Sequence, residues 1–73
     1  MNNVISNGYK IEFKGWFKNF QDCVAVFRIT HPNGKVVEDS RMGSTSKKGV
    51  MRTSIYGIKI KVNLNTGELE LAQ

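Results

Sequence analysis

Alternation of apolar and polar residues is the feature that most constrains the fold of this chain. From Tyr9 to Phe13 an apolar side chain stands at every second position, with lysine or glutamate between. The same period returns between Tyr56 and Leu64. Successive side chains of a strand point to opposite faces, so a period of two places one set in a core and the other in solvent. The sequence therefore predicts two half-buried strands, at 9–13 and 56–64.

The segment Cys23–Thr30 has a different pattern. It is apolar at both parities and rich in β-branched residues, which favours a strand that is covered on both faces. A helix is the alternative, because Asn19 and Asp22 resemble a capping pair and the apolar residues that follow include a helical spacing. We prefer the strand.

A strong turn signal stands at residues 31–35. Proline presets φ, asparagine tolerates the bend, and glycine accepts a positive φ. The signal predicts a hairpin that leads into a strand over Lys35–Arg41. With a three-residue loop and a glycine bulge, Ile29 would lie opposite Val37.

A second turn signal, Asn65-Thr66-Gly67, joins the strand at 56–64 to a strand at 68–72. A three-residue loop would break the alternation of faces, whereas a four-residue loop preserves it. The four-residue loop, which we prefer, pairs Val62 with Leu69. It also pairs Lys61 with Glu70, so that this carboxylate partly neutralises the lysine.

These elements predict an all-β fold. We expect about five short antiparallel strands in a meander or a small barrel of the SH3 or OB kind. The alternative is an open antiparallel sheet with one short helix near residues 20–28. The segment Met42–Met51 is polar and bounded by glycines, so it is predicted to be the longest loop. Residues 1–73 are expected to form a single small basic β domain. Its length is close to the lower limit at which one hydrophobic core stabilises a fold, so a homodimer is a further option.

The charges of the chain are distributed unevenly. The net charge is +5, and the stretch from Ser40 to Gly67 contains no carboxylate although it holds six of the eleven lysine and arginine residues. Such a surface favours nucleic acid or an acidic protein as partner. The longest apolar run, Cys23–Phe27, is too short for a bilayer, and no basic amphipathic helix is apparent. We expect a cytoplasmic protein with no membrane partner.

The chain has one tryptophan, Trp16, and two interpretations of it are open. If the first strand continues past the glycine after Lys14, then Lys14, Trp16 and Lys18 share an outer face, where an indole between cations suits single-stranded nucleic acid. If that glycine marks a bulge, the parity changes and Trp16 is buried with Phe17 and Phe20. We prefer the second interpretation.

No catalytic constellation emerges from the sequence. The single histidine and single cysteine offer no metal site, and the spacing of glycines around Lys47 is not that of a phosphate-binding P-loop. We therefore predict a protein that is not an enzyme and has no cofactor or metal. The leading hypothesis is a nucleic-acid-binding module that uses a basic loop and a strand face. The alternative is a protein–protein interaction module, an accessory or inhibitory subunit able to self-associate. The predicted contact residues for nucleic acid or an acidic partner are Lys14, Trp16, Lys18, Lys47, Lys48, Arg52 and Lys59.

Overall fold

The computed structural model of the chain describes residues 2–72, and within this range it contains strands and turns but no helix. The prediction of an all-β fold is confirmed. No helix that could span a membrane is found in this range. The strands are β1 (Asn3–Ser6), β2 (Tyr9–Asn19), β3 (Asp22–Thr30), β4 (Val36–Met42), β5 (Ser44–Thr45), β6 (Val50–Ile55), β7 (Ile58–Asn63) and β8 (Leu69–Leu71).

The strands form two antiparallel sheets that follow the order of the chain. Strands β1 to β4 make a four-stranded meander, sheet A, and strands β5 to β8 make a second one, sheet B. The predicted meander is confirmed, but the two sheets of residues 2–72 stay separate and do not close into a barrel. The predicted strand count is too low, because β1, β5 and β6 were not recognised. Strand β5 has only two residues, both polar and exposed, and therefore gives no alternation signal.

Two predicted boundaries are wrong, one for a strand and one for a loop. The strand predicted at 56–64 begins only at Ile58, because Tyr56 and Gly57 form a two-residue turn with φ values of 50° and 79°. Positive φ at both positions is the type I′ geometry that favours a tight hairpin. The loop predicted at Met42–Met51 is also wrong, since it contains β5 and the start of β6. The turn between those strands spans only 46–49.

Three other predictions on strands are confirmed. The segment near residues 20–28 belongs to a hairpin whose second strand is β3, and the helical alternative is wrong. Ile29 pairs with Val37. Lys61 pairs with Glu70 in the predicted register, and their side chains form an ion pair of 2.9 Å.

The core lies between the two sheets. Burial of each large apolar side chain contributes about 1.5–3 kcal/mol, so this layer is the main source of stability. Both sheets supply large, fully buried side chains to it. These are Ile11, Phe27 and Ile29 from sheet A, and Met51, Ile55, Ile60 and Val62 from sheet B.

Gly43 connects sheet A to sheet B. It is the single residue between β4 and β5, and a Cβ at this position would collide with the carbonyl oxygen of Arg52. The Thr53 hydroxyl donates a 3.1 Å hydrogen bond to the carbonyl oxygen of Met42 at the same place. The close approach of β4 to β6 therefore requires glycine at the crossing.

Candidate functional site

Strand β2 contains the predicted bulge. Phe13 pairs with Phe27 and Gly15 pairs with Val26, so Lys14 is an extra residue without a partner in β3. The bulge changes the parity of the strand, because Trp16 lies opposite Ala25 and thus on the same face as Phe13. This is the face that sheet B covers.

The predicted burial of Trp16 is nevertheless wrong. Trp16 is 42% exposed, Phe17 is 51% exposed, and Phe20 is 94% exposed. Sheet B ends too early to cover them. Its loop at 64–68 packs against the ring of Phe13, since a Cβ at Gly67 would lie 3.7 Å from Phe13 Cδ2. The ends of β2 and β3 beyond this contact, residues 15–26, form what we call the distal hairpin.

Trp16 has a cation on its own face of the distal hairpin. Lys18 lies opposite Cys23, two positions from Ala25, and therefore shares the face of Trp16. Both side chains are exposed. An exposed indole thus stands beside an exposed ammonium group, which is the arrangement that the burial interpretation excluded.

Arg41 lies in the same cross-strand row as Trp16, on the far side of Ala25. Its guanidinium Nη1 lies 2.8 Å from Asp39 Oδ2 and donates a 2.9 Å hydrogen bond to the carbonyl oxygen of Ser40. Hydrogen bonds from this guanidinium and from the Ser40 N–H hold the pKa of the Asp39 carboxyl below its ordinary value. The Asp39 carboxylate is therefore ionised at neutral pH and offsets the positive charge of Arg41.

Lys47 and Lys48 occupy the turn between β5 and β6, and both are exposed. The backbone of this lysine turn (residues 46–49) is fixed on the 64–68 loop, because the N–H of Leu64 donates a 2.9 Å hydrogen bond to the carbonyl oxygen of Gly49. The Asn65 amide also donates to the carbonyl oxygen of Lys48 at 3.4 Å. Since the 64–68 loop also contacts Phe13, the lysine turn lies at the same end of the molecule as the distal hairpin.

Arg52 and Lys59 lie elsewhere, on the outer face of sheet B. Arg52 pairs with Lys61, which is bound to Glu70. Arg52 and Lys61 share a shallow groove with two carboxylates, Glu68 and Glu70. The structure thus divides the predicted contact residues between an end that contains Lys14, Trp16, Lys18, Lys47 and Lys48 and a strand face that contains Arg52 and Lys59.

The ion pairs of the structure are also distributed unevenly between these two regions. Between residues of the described range, the ion pairs are Arg28–Glu38, Arg41–Asp39 and Lys61–Glu70. Lys14, Lys18, Lys47 and Lys48 take no part in such a pair within residues 2–72. The distal hairpin contains one carboxylate, Asp22.

Sequence reasoning missed Phe20 as a surface residue. Asn19 pairs with Asp22, so Phe20 and Gln21 form a two-residue hairpin turn in which Phe20 has a φ of 59°. The polar residues around Phe20 are a turn signal that could have placed it at a tip rather than in a core. Met42 was also missed, and it is 58% exposed on the outer face of sheet A.

Residues 2–72 bring together no group of three or more histidine, cysteine, aspartate or glutamate side chains that could hold a metal ion. No protein-family model matches the chain, and neither a curated protein nor a solved structure matches it significantly. The exposed side chains are therefore the features of this chain that bear on its function.

Proposed function

We propose that this chain is a non-enzymatic module that binds nucleic acid through the end formed by the distal hairpin and the lysine turn. The observation that carries the proposal is the exposure of Trp16 beside Lys18 on one face of the hairpin. An indole face stacks on any base for about 1–3 kcal/mol, while nearby cations contact the phosphates. Binding of this kind is only weakly selective for sequence.

Four lysines supply the phosphate contacts in this proposal. Lys18 belongs to the distal hairpin, Lys14 directly precedes it at the bulge of β2, and Lys47 and Lys48 belong to the lysine turn. Each contact releases counterions, so for a single strand the logarithm of the affinity should fall with the logarithm of salt with a slope of about −3 for four contacts. Arg52 and Lys59 have a secondary role, because carboxylates share their face of sheet B.

The test is a titration with a single-stranded oligonucleotide of about 20 nucleotides, long enough for a typical small binding fold. Trp16 is the only tryptophan, so its fluorescence reports directly on the proposed site. We expect quenching and saturable binding at about 50 mM salt, with much weaker binding at about 200 mM. Absence of binding at the lower salt concentration would exclude the proposal.

A matched pair of variants tests the location of the site. The double variant Lys47→Gln, Lys48→Gln should bind several-fold more weakly than the wild type. The control is Lys10→Gln, Lys35→Gln, which removes the same charge from two exposed lysines that lie near the opposite end of the sheets. Equal losses in the two double variants would show a non-specific effect of net charge.

A second candidate function is supported by a different surface. Phe17, Val24 and Met42 form an apolar row across β2, β3 and β4 on the outer face of sheet A. The two flanking side chains are about half exposed, and this row is the surface that would bind a protein partner or a second copy of the chain. Sedimentation at high salt tests this function, because a dimer that persists there and is lost in Phe17→Ser would favour it over nucleic-acid binding.

A further inference from the structure

The turn at the tip of the distal hairpin differs from the other two-residue turns of the molecule. Asn7-Gly8 and Tyr56-Gly57 both have positive φ at the two central positions, with glycine second. In the third turn only Phe20 has a positive φ, of 59°, and no glycine is present. A turn with positive φ at its first central position alone normally has glycine there. Phe20 is therefore a bulky residue at a glycine position.

Packing within residues 2–72 does not compensate for this conformation. Positive φ is unfavourable for a side chain with a Cβ, and side-chain interactions can offset its cost. Tyr56 has such interactions, because its ring centroid lies 5.1 Å from that of Tyr9 and 5.3 Å from that of His31. Phe20 is 94% exposed, so its ring gains almost nothing from burial. An exposed aromatic residue with an unfavourable φ that no side-chain packing offsets points to a role in binding.

The surroundings of Phe20 indicate the chemistry of the ligand. Trp16 and Phe17 are the other exposed aromatic residues of the distal hairpin, and the exposed Lys18 lies between them and the tip. Asp22 is the one carboxylate of the hairpin, against the cations of Lys14, Lys18 and the lysine turn. This end is therefore apolar and positively charged together. A polyanion that also presents flat apolar faces is complementary to it, and nucleic acid with unpaired bases fits that description.

We propose that Phe20 is a second base-contacting residue, whose ring stacks on an unpaired base while Trp16 stacks on another base of the same strand. This inference rests on the proposed function. The two aromatic residues are four positions apart in the sequence, which at the rise of a strand corresponds to about 13 Å and is a distance that a few nucleotides cover. Because a duplex must first unstack a base step to admit such a ring, the protein should prefer single-stranded to double-stranded nucleic acid.

The decisive variant is Phe20→Gly, because glycine accepts the positive φ and should leave the fold intact. We expect its melting temperature to equal or exceed that of the wild type, while its affinity for a single-stranded oligonucleotide falls by at least about fivefold, in line with loss of one stacking contact. The salt dependence should stay unchanged, since the lysines are untouched. The preference for single over double strands should decrease.

Two further variants make the test specific. Phe20→Trp keeps an aromatic face at the tip and should retain the affinity of the wild type. Phe20→Asn removes the ring but tolerates a positive φ, so it replaces the glycine variant if that protein fails to fold. It should bind as weakly as Phe20→Gly.

The outcomes separate this inference from the proposed function. If the wild type binds no oligonucleotide at about 50 mM salt, the proposed function fails and the inference fails with it. If the wild type binds and Phe20→Gly binds equally well, only the inference is overturned. If the wild type binds vesicles that contain phosphatidylserine but no oligonucleotide, the tip is a membrane-surface contact and both proposals are wrong.

Discussion

At one end of the molecule Tyr56 adopts a positive φ in a two-residue turn, and its ring packs with those of Tyr9 and His31. At the other end Phe20 adopts nearly the same φ, and its ring faces solvent. Ring packing thus offsets the unfavourable φ of Tyr56, whereas no such packing offsets that of Phe20. Similar turn residues thus serve folding at one end of the molecule and, in our proposal, binding at the other. The aromatic cluster of Tyr9, His31 and Tyr56 should therefore affect stability, and the distal hairpin should affect affinity.

The largest expected effect is on stability, from Tyr9→Ala. Tyr9 is half-buried, packs against the core, and contacts both other rings of the aromatic cluster. Its loss should lower the free energy of unfolding by about 2–3 kcal/mol, somewhat less than for a fully buried aromatic residue. Urea denaturation measures the change. Affinity for oligonucleotide should be unchanged while the variant is folded, and a parallel loss of affinity would show that the aromatic cluster also takes part in binding.

The next largest effect is on affinity, from Trp16→Ala. Loss of a stacking indole should weaken binding to single-stranded nucleic acid by about 1–3 kcal/mol, which is roughly fivefold to 150-fold. Phe17→Ala is the matched control, because it removes a similarly exposed ring from the other face of the same strand. Anisotropy titration with a labelled oligonucleotide measures both variants. Equal losses of affinity would show that the bound nucleic acid does not lie on the face of Trp16 and Lys18.

A third prediction applies one substitution to both ends. Phe20→Gly should raise the free energy of unfolding by about 0.5–1 kcal/mol, because relief of the strained φ exceeds the entropy cost of glycine. Tyr56→Gly relieves a similar φ but removes the contacts with Tyr9 and His31, and it should lower stability by about 1 kcal/mol. Thermal or urea denaturation gives the sign of each change. Changes of the same sign would contradict our account of the two turns.

The smallest effects are expected from Asp39→Asn. The folded-state pKa of Asp39 lies below its ordinary value of 3.8, so the ionised carboxylate stabilises the fold above that value. This stabilisation is lost as the pH falls through the lowered pKa. Wild type and variant should thus differ slightly in stability at neutral pH and converge in acid below pH 3.8, as measured by denaturation across pH. A difference that persisted in acid would mean that the carboxylate charge is not its source.

The same variant also bears on binding. Without the carboxylate, Arg41 becomes an additional free cation in the row of Trp16. Affinity for oligonucleotide should increase about twofold to fivefold, the range for one exposed charge interaction. A decrease in affinity would indicate that Arg41 does not face the bound strand.

The sequence predicts the local pairing of strands in this fold better than it predicts which side chains the opposite sheet buries. Alternation and turn chemistry correctly give the register of Ile29 with Val37 and of Lys61 with Glu70, because both depend on a few neighbouring residues. The turn at Tyr56-Gly57 escaped prediction because the alternation continues across it. In a two-residue hairpin the flanking residues Ile55 and Ile58 lie opposite each other, and the pattern alone does not reveal the reversal.

The candidate site shows the same limit. The bulge beside Gly15 follows from a glycine within an alternating strand, and the cations of the lysine turn follow from composition. The exposure of Trp16 does not follow from the sequence pattern. It arises because the 64–68 loop of sheet B packs against Phe13 and does not extend to Trp16. The proximity of Lys48 to this region likewise depends on its contact with Asn65, a partner that no local pattern identifies.

The crossing at Gly43 has a consequence for how the chain assembles. Each sheet is built from a continuous half of the sequence, and within each sheet every strand pairs with its neighbours along the chain. Loop closure is short for all of these hairpins, so each half can acquire its pairing independently and quickly. We therefore expect the docking of the two layers to be the late step of folding. Two peptides divided at Gly43 would each contain one complete layer, and their reassembly from solution would be a bimolecular version of that same step.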